Sequence, residues 1–325
     1  MEQIFSGGAE EDSIVALLAA LRAKGETVEE LVGFARAMRR HATPIFPDGL
    51  RPNEILVDTC GTGGDASGTF NISTAAAFVA AGAGVRVAKH GNRSISSKCG
   101  SADVLEALGI SLDVPPERIG AAIREIGIGF LFAPAMHTAM RHAMPARRRL
   151  GRTAFNLLGP LTNPAGARAQ IIGVFSDKVV EKVAQVLAEL GVERAFVVHG
   201  EGGLDEISLA GETSVGDVRG ETVSLYDVTP EDFGLERAPL AAIAGGDAAE
   251  NAGIIRAILA GERGPRRDIV VANASAAIVA AGRAADFLEG AQFAAQSIDS
   301  GAAQGKLESL IAFAPGTQFA KPKPP

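Results

Sequence analysis

The chain has 325 residues, enough for one large domain or two unequal ones, and its 47% hydrophobic content suits a globular protein with a real core rather than a disordered one. Lys and Arg total 31 against 38 Asp and Glu, a net charge of −7, which disfavours a sequence-independent grip on nucleic acid. The two cysteines, Cys60 and Cys99, stand in a chain with neither a signal peptide nor an apolar run long enough to span a bilayer, so a reduced cytoplasm fits best and no membrane partner is expected.

The first forty or so residues read as two helices. Ile14 to Lys24 carries Val15, Leu18, Ala19 and Leu21, and Val28 to His41 opens on Thr27 and Glu30, the spacing of a capping box. No strand pattern precedes Ile55. From there the pattern alternates: a strand near 55 to 58, a helix 72 to 82, a strand 85 to 88, helices 101 to 108 and 116 to 126, and an apolar run Ile128 to Phe132. Helices follow across 137 to 158, then a strand Gln170 to Phe175, a helix 178 to 190 and a strand Ala195 to His199. Such alternation predicts an α/β domain with a mainly parallel sheet. Short β-like runs, Thr213 to Val218 and Thr222 to Tyr226, come next; helices dominate from Asp247, and Lys321 to Pro325 cannot hold a regular element. No internal repeat or low-complexity linker is present.

Asp58-Thr-Cys-Gly-Thr-Gly-Gly-Asp65 follows the apolar run Ile55 to Val57 and precedes Asn71-Ile-Ser-Thr-Ala-Ala-Ala-Phe-Val79, a strand, a glycine turn and a helix start. Glycines let the backbone approach an anion, and a helix start offers free N–H groups and a positive dipole end. The turn also fits the loose dinucleotide pattern G-x-G-x-x-A, but that use needs an acid at the end of the next strand, which here ends in Lys89-His90. No Gly-Lys-Ser/Thr follows for a P-loop. A tight structural turn remains open for this loop alone. In the second segment, Lys89 to Ser94, Lys89 supplies a point charge, Gly91 allows backbone approach, and Asn92, Arg93, Ser94, Ser96 and Ser97 supply hydrogen-bonding groups. Gly100-Ser101 opens a further helix with Ser101 as its cap. Two such helix starts on adjacent strands would converge at the carboxyl edge of a parallel sheet.

Both cysteines border these segments without the histidine pattern of a thiol enzyme and read as small buried filler. His137 and His142 are five apart, off the spacing that shares a helical face, which argues against zinc. In His199-Gly-Glu-Gly-Gly-Leu-Asp-Glu206, Asp205 and Glu206 are either a solvated acidic turn or a pair suited to Mg²⁺ that bridges a phosphate. Arg147-Arg-Arg149 reads by itself as a solvated basic run.

Asp58 to Asp65, Gly68-Thr-Phe-Asn-Ile-Ser-Thr74, Lys89 to Ser94, Gly100-Ser-Ala-Asp-Val-Leu-Glu-Ala-Leu-Gly109, Asn156-Leu-Leu-Gly-Pro-Leu-Thr-Asn-Pro-Ala165 and Gly203 to Glu206 together resemble the anthranilate phosphoribosyltransferase family, from about Ala16 to Phe313. The resemblance implies transfer of a 5-phosphoribosyl group from phosphoribosyl pyrophosphate (PRPP) to the amine of anthranilate, with Mg²⁺, in tryptophan biosynthesis. It implies a homodimer and a fold of the nucleoside phosphorylase and phosphoribosyltransferase kind: a small helical domain plus a larger α/β domain with a mainly parallel central sheet, the site lying in the hinge. The expected division is 1–48 with about 134–160 for the helical domain, 49–133 with 161–318 for the α/β domain, and a tail 319–325.

By the family pattern, PRPP is expected on Gly61, Gly64, Asp65, Thr69, Asn71, Ile72, Ser73, Thr74, Lys89, His90, Gly91, Asn92, Arg93, Ser94, Ile95, Ser96, Ser97 and Ser101. Anthranilate is expected on Gly61, Asn92 and Arg147, and Mg²⁺ on Ser73, Asp205 and Glu206. No side chain is expected to act as a nucleophile: departing pyrophosphate leaves oxocarbenium-like charge on the sugar, and the amine of anthranilate is neutral at pH 7, so positioning and electrostatics carry the reaction. Three departures from the pattern are visible. The family usually has a further helix before the point matching Met1, which bears on dimer strength or on the assigned start. Gly151-Arg152 is one residue shorter than the pattern, and Thr138 replaces a usual proline after His137. The alternatives are a pyrimidine-nucleoside phosphorylase, whose anion loop would not read Lys-His-Gly-Asn-Arg, and a nucleic-acid-binding relative, which would call for a basic groove.

Overall fold

The computed structural model describes residues 1–63, 67–94 and 98–313. It opens on three helices, α1 (Glu2–Phe5), α2 (Glu11–Lys24) and α3 (Val28–Arg40). The sequence reading predicts only two of them. α1 is a single turn that buries Ile4 and Phe5, too short to show a helical period. The capping box of α3 is formed: Glu30 N donates to Thr27 Oγ1 (3.2 Å) and Thr27 N donates to the Glu30 carboxylate (2.9 Å), a contribution of about 1 kcal/mol.

The α/β part runs β1 (Val57–Gly61), α4 (Ile72–Gly82), β2 (Val87–Gly91), α5 (Ser101–Ala107), α6 (Pro116–Glu125) and β3 (Ile128–Phe132). The stretch read as helices across 137 to 158 is broken into α7 (Ala133–Met136), a 3-10 turn Thr138–His142, α8 (Met144–Leu150) and α9 (Phe155–Leu158). Pro145 inside the first turn of α8 and Gly151 at φ +74° after it set those limits. Then come β4 (Ala169–Gly173), α10 (Val180–Glu189), β5 (Arg194–Gly200), β6 (Thr213–Arg219), β7 (Thr222–Val228), α11 (Ala248–Leu259), α12 (Pro265–Ala280), α13 (Phe287–Asp299) and α14 (Ala302–Phe313).

The strands form one sheet in the order β3-β2-β1-β4-β5-β6-β7. β3, β2, β1, β4 and β5 are mutually parallel, and β6 and β7 add on as antiparallel strands. This is the small helical domain and larger, mainly parallel α/β domain that the sequence implies. Side chains alternate across the strands as the pleat requires. Ile171 and Phe196 join the core made by α4, α5 and α11–α14, whereas Ile172 and Val197 join the core made with α1–α3 and α10.

α4 and α12 carry buried residues on almost every side, so neither shows an amphipathic stripe and both act as central struts. They pack on one another, and α4 also meets α13 and α14. At Gly82 a Cβ would lie 2.6 Å from Ala303 N, so this close helix approach requires glycine.

Candidate active site at the carboxyl edge of the sheet

β1 and β2 are neighbours and end at Gly61 and Gly91, so both glycine segments leave the same edge of the sheet. The glycine turn is stitched to the end of β4: Thr62 N donates to Gly173 O (2.9 Å) and Phe175 N to Thr62 Oγ1 (3.1 Å). Gly63 adopts φ +67°. Gly64, Asp65, Ile95, Ser96 and Ser97 lie outside the described residues.

Onto this edge folds the loop carrying Asp205 and Glu206. A Cβ at Gly61 would come within 2.5 Å of Asp205 Oδ2, and one at Gly173 within 1.5 Å of Asp205 O, so both glycines make room for the acidic loop. Gly63 N donates to Asp205 Oδ2 (2.9 Å) and Ser73 N to Glu206 Oε1 (3.1 Å). The acidic pair is therefore packed against the glycine turn and the start of α4.

That arrangement corrects one expectation. The amides foreseen as free at the start of α4 are engaged: Ile72 N with Phe70 O (2.8 Å), Ser73 N with Glu206, and Thr74 N and Ala75 N with Asn71 O (3.2 and 3.1 Å). The side chains of Ile72 and Thr74 are buried in the protein, and Thr74 Oγ1 has no hydrogen-bond partner among the described residues. Thr69 forms an isolated bridge with Ala244, and its Oγ1 lies 3.2 Å from Ser67 Oγ. Asn71 Nδ2 donates to Cys99 O (3.2 Å), while its Oδ1 accepts from Asn251 Nδ2 (3.0 Å). Asn251, buried on α11, has no sequence motif to announce it.

Lys89 is 3% exposed, and its ammonium donates to Thr59 O and to Ser73 Oγ (3.2 Å). Rather than standing open to a phosphate, this charge lies beneath the turn and reaches the site through Ser73. Burial pulls its pKa down, opposed by the nearby Asp58, Cys60, Glu206 and Asp205. Asp58, wholly buried, accepts from His90 N (3.0 Å) and from Asn163 Nδ2 (2.7 Å). Burial pushes its pKa up to about 6 despite those bonds. Cys60 is half-buried rather than fully buried, and Cys99 is buried; neither forms a disulfide among the described residues. Desolvation raises the Cys60 thiol well above its usual value and pushes Cys99 up to about 11, which leaves both poor nucleophiles.

The second segment is tied to α5. Asn92 N donates to Ser101 Oγ and Ser101 Oγ to Asn92 O, both at 3.2 Å, and Ala102 N donates to the same carbonyl (3.1 Å). Ser101 is thus the first residue of α5, not its cap; Gly100 holds the cap position. Asp103 instead satisfies the loop ends, accepting from Ser94 N (3.0 Å), Gly100 N (2.9 Å) and Arg93 Nη1 (3.0 Å). Arg93 also pairs with Glu106 and lies over the Phe132 ring, so its guanidinium is directed along α5. A Cβ on Gly91 would fall 2.2 Å from Ser101 Oγ and 2.8 Å from the Phe130 ring, a close approach only glycine permits.

His90 meets His137, the ring centroids 5.0 Å apart at 58°. Both are buried, and His90 Nε2 and both ring nitrogens of His137 have no hydrogen-bond partner among the described residues. Burial pulls His90 down to about 3 and His137 to about 4, so both rings are neutral at pH 7. Sequence spacing sets His137 against His142 and misses its true neighbour, which lies on β2. Arg147 on α8 is partly buried, lies 5.6 Å from the Phe155 centroid, and has no acidic partner among the described residues; burial lowers its pKa. Arg149 in the same run pairs with Glu11 (3.2 Å) and Asp12 (2.9 Å) at the surface. The run of arginines therefore divides: one desolvated cation, the others at the surface.

The depressed His137 value has a definite sign in stability. Between pH 4 and 6.5 the unfolded chain binds a proton at this position that the folded chain does not, so stability is full above about 6.5 and falls as pH drops towards 4. We predict that His137→Phe, compared with wild type by urea unfolding across that window, removes a slope of about 1.4 kcal/mol per pH unit. Asp58, with its raised pKa, pulls the other way near pH 4–6, so the comparison rests on the difference between the two proteins. Parallel curves would show that His137 does not titrate this way.

The mainly parallel sheet, its helical partner and the acidic loop laid against a glycine turn belong to a glycosyltransferase of the helical-bundle and α/β kind, as two family matches show. Residues 1–42 match the glycosyl transferase family helical bundle domain and residues 53–304 the glycosyl transferase family a/b domain. The anthranilate phosphoribosyltransferase of Citrifermentans bemidjiense is 55% identical over 323 residues, covering 96% of this chain and 92% of the relative. The crystal structure of the Thermus thermophilus enzyme of that name is 48% identical with a TM-score of 0.90, covering 96% of this chain and 92% of its own. The Saccharomyces cerevisiae enzyme in complex with PRPP and Mg is 31% identical with a TM-score of 0.84, covering 93% and 85%. The chain belongs to the anthranilate phosphoribosyltransferase family.

Proposed function

We propose that this chain transfers the 5-phosphoribosyl group from PRPP to the amine of anthranilate, giving N-(5-phosphoribosyl)anthranilate and pyrophosphate, as a step of tryptophan biosynthesis. The observation that carries this reading is the placement of Asp205 and Glu206 against Gly63 and Ser73, where a phosphate site is expected. Two carboxylates there would repel a pyrophosphate unless a cation lies between them. Among the described residues no group of three or more His, Cys, Asp or Glu side chains is gathered for a metal. A pair of carboxylates beside a hydroxyl fits Mg²⁺, which takes one or two carboxylates and completes its shell with phosphate oxygens and water. Ser73, Asp205 and Glu206 would hold it, and when bound it supplies charge stabilisation to the departing pyrophosphate.

In this reading Lys89 orients the Ser73 hydroxyl and adds a fixed positive charge beneath the leaving group. The two glycine segments contribute Gly61, Thr69, Asn71, Lys89 to Ser94 and Ser101, with Gly64, Asp65 and Ile95 to Ser97 from the undescribed stretches. Ile72, Ser73 and Thr74 contribute mainly by setting the turn of α4. Asn92, Gly61 and Arg147 would receive anthranilate, Arg147 as the desolvated cation for its carboxylate. Beside His90, already among the PRPP residues, we add His137; His90 Nε2 and both ring nitrogens of neutral His137, without hydrogen-bond partners among the described residues, suit the polar groups of an aromatic amine.

We also propose the division 1–48 with about 134–160 for the helical domain and 49–133 with 161–318 for the remainder. The packing of α2 on α8 and α3 on α9 supports it. A homodimer through the helical domain, where Leu17 of α2 stands exposed, and a cytoplasmic setting suited to two cysteines outside any disulfide complete the reading. No helix among the described residues is long and apolar enough to cross a membrane. Neither alternative gains from the site: a nucleoside phosphorylase leaves Arg147 without a carboxylate to bind, and the net charge of −7 does not suit a nucleic-acid groove.

Mixing the protein with anthranilate, PRPP and Mg²⁺ is expected to extinguish anthranilate fluorescence. No loss at any Mg²⁺ concentration would refute the assignment.

A further inference from the structure

α12 is buried on nearly every side, so a polar side chain in its middle must be satisfied or it destabilises the core. Asn273, 3% exposed, commits its amide fully. Its Nδ2 donates to Ile269 O one turn back (2.9 Å) and to Ile207 O (3.0 Å), and its Oδ1 accepts from Ile207 N (2.9 Å). The amide orientation follows from its neighbours, because the reverse assignment would set donor against donor and acceptor against acceptor.

Ile207 is 1% exposed and belongs to no helix or strand, so its peptide groups have no ladder to join. Both are satisfied by the one side chain of Asn273. On the other side of the acidic pair, Leu204 is wholly buried and pinned to β5 by Leu204 N to Gly200 O (3.1 Å) and Gly200 N to Leu204 O (2.9 Å). Asp205 and Glu206 are thus a two-residue span between two buried anchors. One anchor is the end of a strand; the other is a single amide reaching out of α12.

We propose that Asn273 is the positioning residue for the acidic pair. By holding both peptide groups of Ile207 it fixes the direction in which Asp205 and Glu206 present their carboxylates to Gly63, Ser73 and a divalent cation. The proposal rests on the reading of Asp205 and Glu206 as cation ligands. It makes a distinction: an amide that only satisfies itself in the core would matter to stability alone, whereas a clamp on the loop must also matter to the cation. Partners that orient metal ligands cost about 10- to 100-fold in metal affinity when removed.

The test uses Asn273→Ala and Asn273→Gln. Alanine suits an alanine-rich helix and deletes the clamp; glutamine keeps an amide but displaces it by one methylene. Mn²⁺ binding in the presence of PRPP and absence of anthranilate is read by electron paramagnetic resonance, beside the Mg²⁺ concentration for half-maximal rate. Both variants are expected to weaken Mn²⁺ about tenfold and to shift half-saturation by Mg²⁺ in step, with the KM for anthranilate changed less than about twofold. If the alanine variant does not fold, the glutamine variant decides. A folded variant of either kind with Mn²⁺ affinity within about twofold of wild type would overturn the positioning role. Failure of the underlying reading is separate: an Asp205→Ala/Glu206→Ala protein that still binds Mn²⁺ with PRPP as wild type does would show that the cation lies elsewhere.

Discussion

Replacing Asp205 and Glu206 together by alanine is expected to lower kcat/KM by about 10³-fold, roughly 4 kcal/mol of transition-state stabilisation, and to abolish the dependence on Mg²⁺. The physical reason is charge. A pyrophosphate leaving the ribose carries its developing negative charge to the start of α4, where only Lys89, buried beneath the turn, provides a fixed cation among the residues placed at the turn. A second consequence separates lost chemistry from lost folding. Gly63 N and Ser73 N now donate to these two carboxylates, and the double variant releases both donors. Binding of PRPP without metal should therefore hold or strengthen while turnover collapses, a split that calorimetry and kinetics would reveal together. Unchanged Mg²⁺ dependence would place the metal on other residues.

Arg147→Ala is expected to raise the KM for anthranilate about 100-fold, as removal of a desolvated, charge-assisted pair costs roughly 2–3 kcal/mol, and to leave the KM for PRPP within about twofold. Arg147 makes no ion pair with the described protein, so folding loses only its contact with Phe155, about 0.5–1 kcal/mol. Lysine should rescue poorly because it cannot offer the planar two-donor fork. The measurement is steady-state kinetics with each substrate varied in turn. Equal weakening towards both substrates would remove Arg147 from the acceptor site.

Much of the fold is legible because its signals are local. The capping box at Thr27 and Glu30 fixes the start of α3, and the predicted helix over 72 to 82 coincides with α4. The meeting of the two glycine segments follows from strand-turn-helix order alone, since parallel strands end at one edge. What escapes is set by contacts remote in sequence. Nothing near Lys89 tells that its ammonium turns under Thr59 and Ser73, nor near His90 that His137 lies against it. Asn251 and Asn273 are single amides in apolar helices, invisible to periodicity; the first donates to Asn71 and the second holds Ile207 behind the acidic pair. The broken stretch after Met136 escapes for a different reason: a run of helix formers outweighs Pro145 and Gly151 in the pattern, whereas their backbone restrictions decide the outcome.

The alternation along β4 has a consequence for how this chain can change. Ile171 faces one core, Ile172 the other, and Gly173 is the floor on which Asp205 rests. A single residue inserted within this strand, between Gln170 and Ile171, would exchange the two isoleucines between cores and slide a side chain under the acidic loop. Insertions at the Gly220 turn between β6 and β7, by contrast, would meet open space. The length of β4 itself is accordingly as constrained as any residue that meets a substrate.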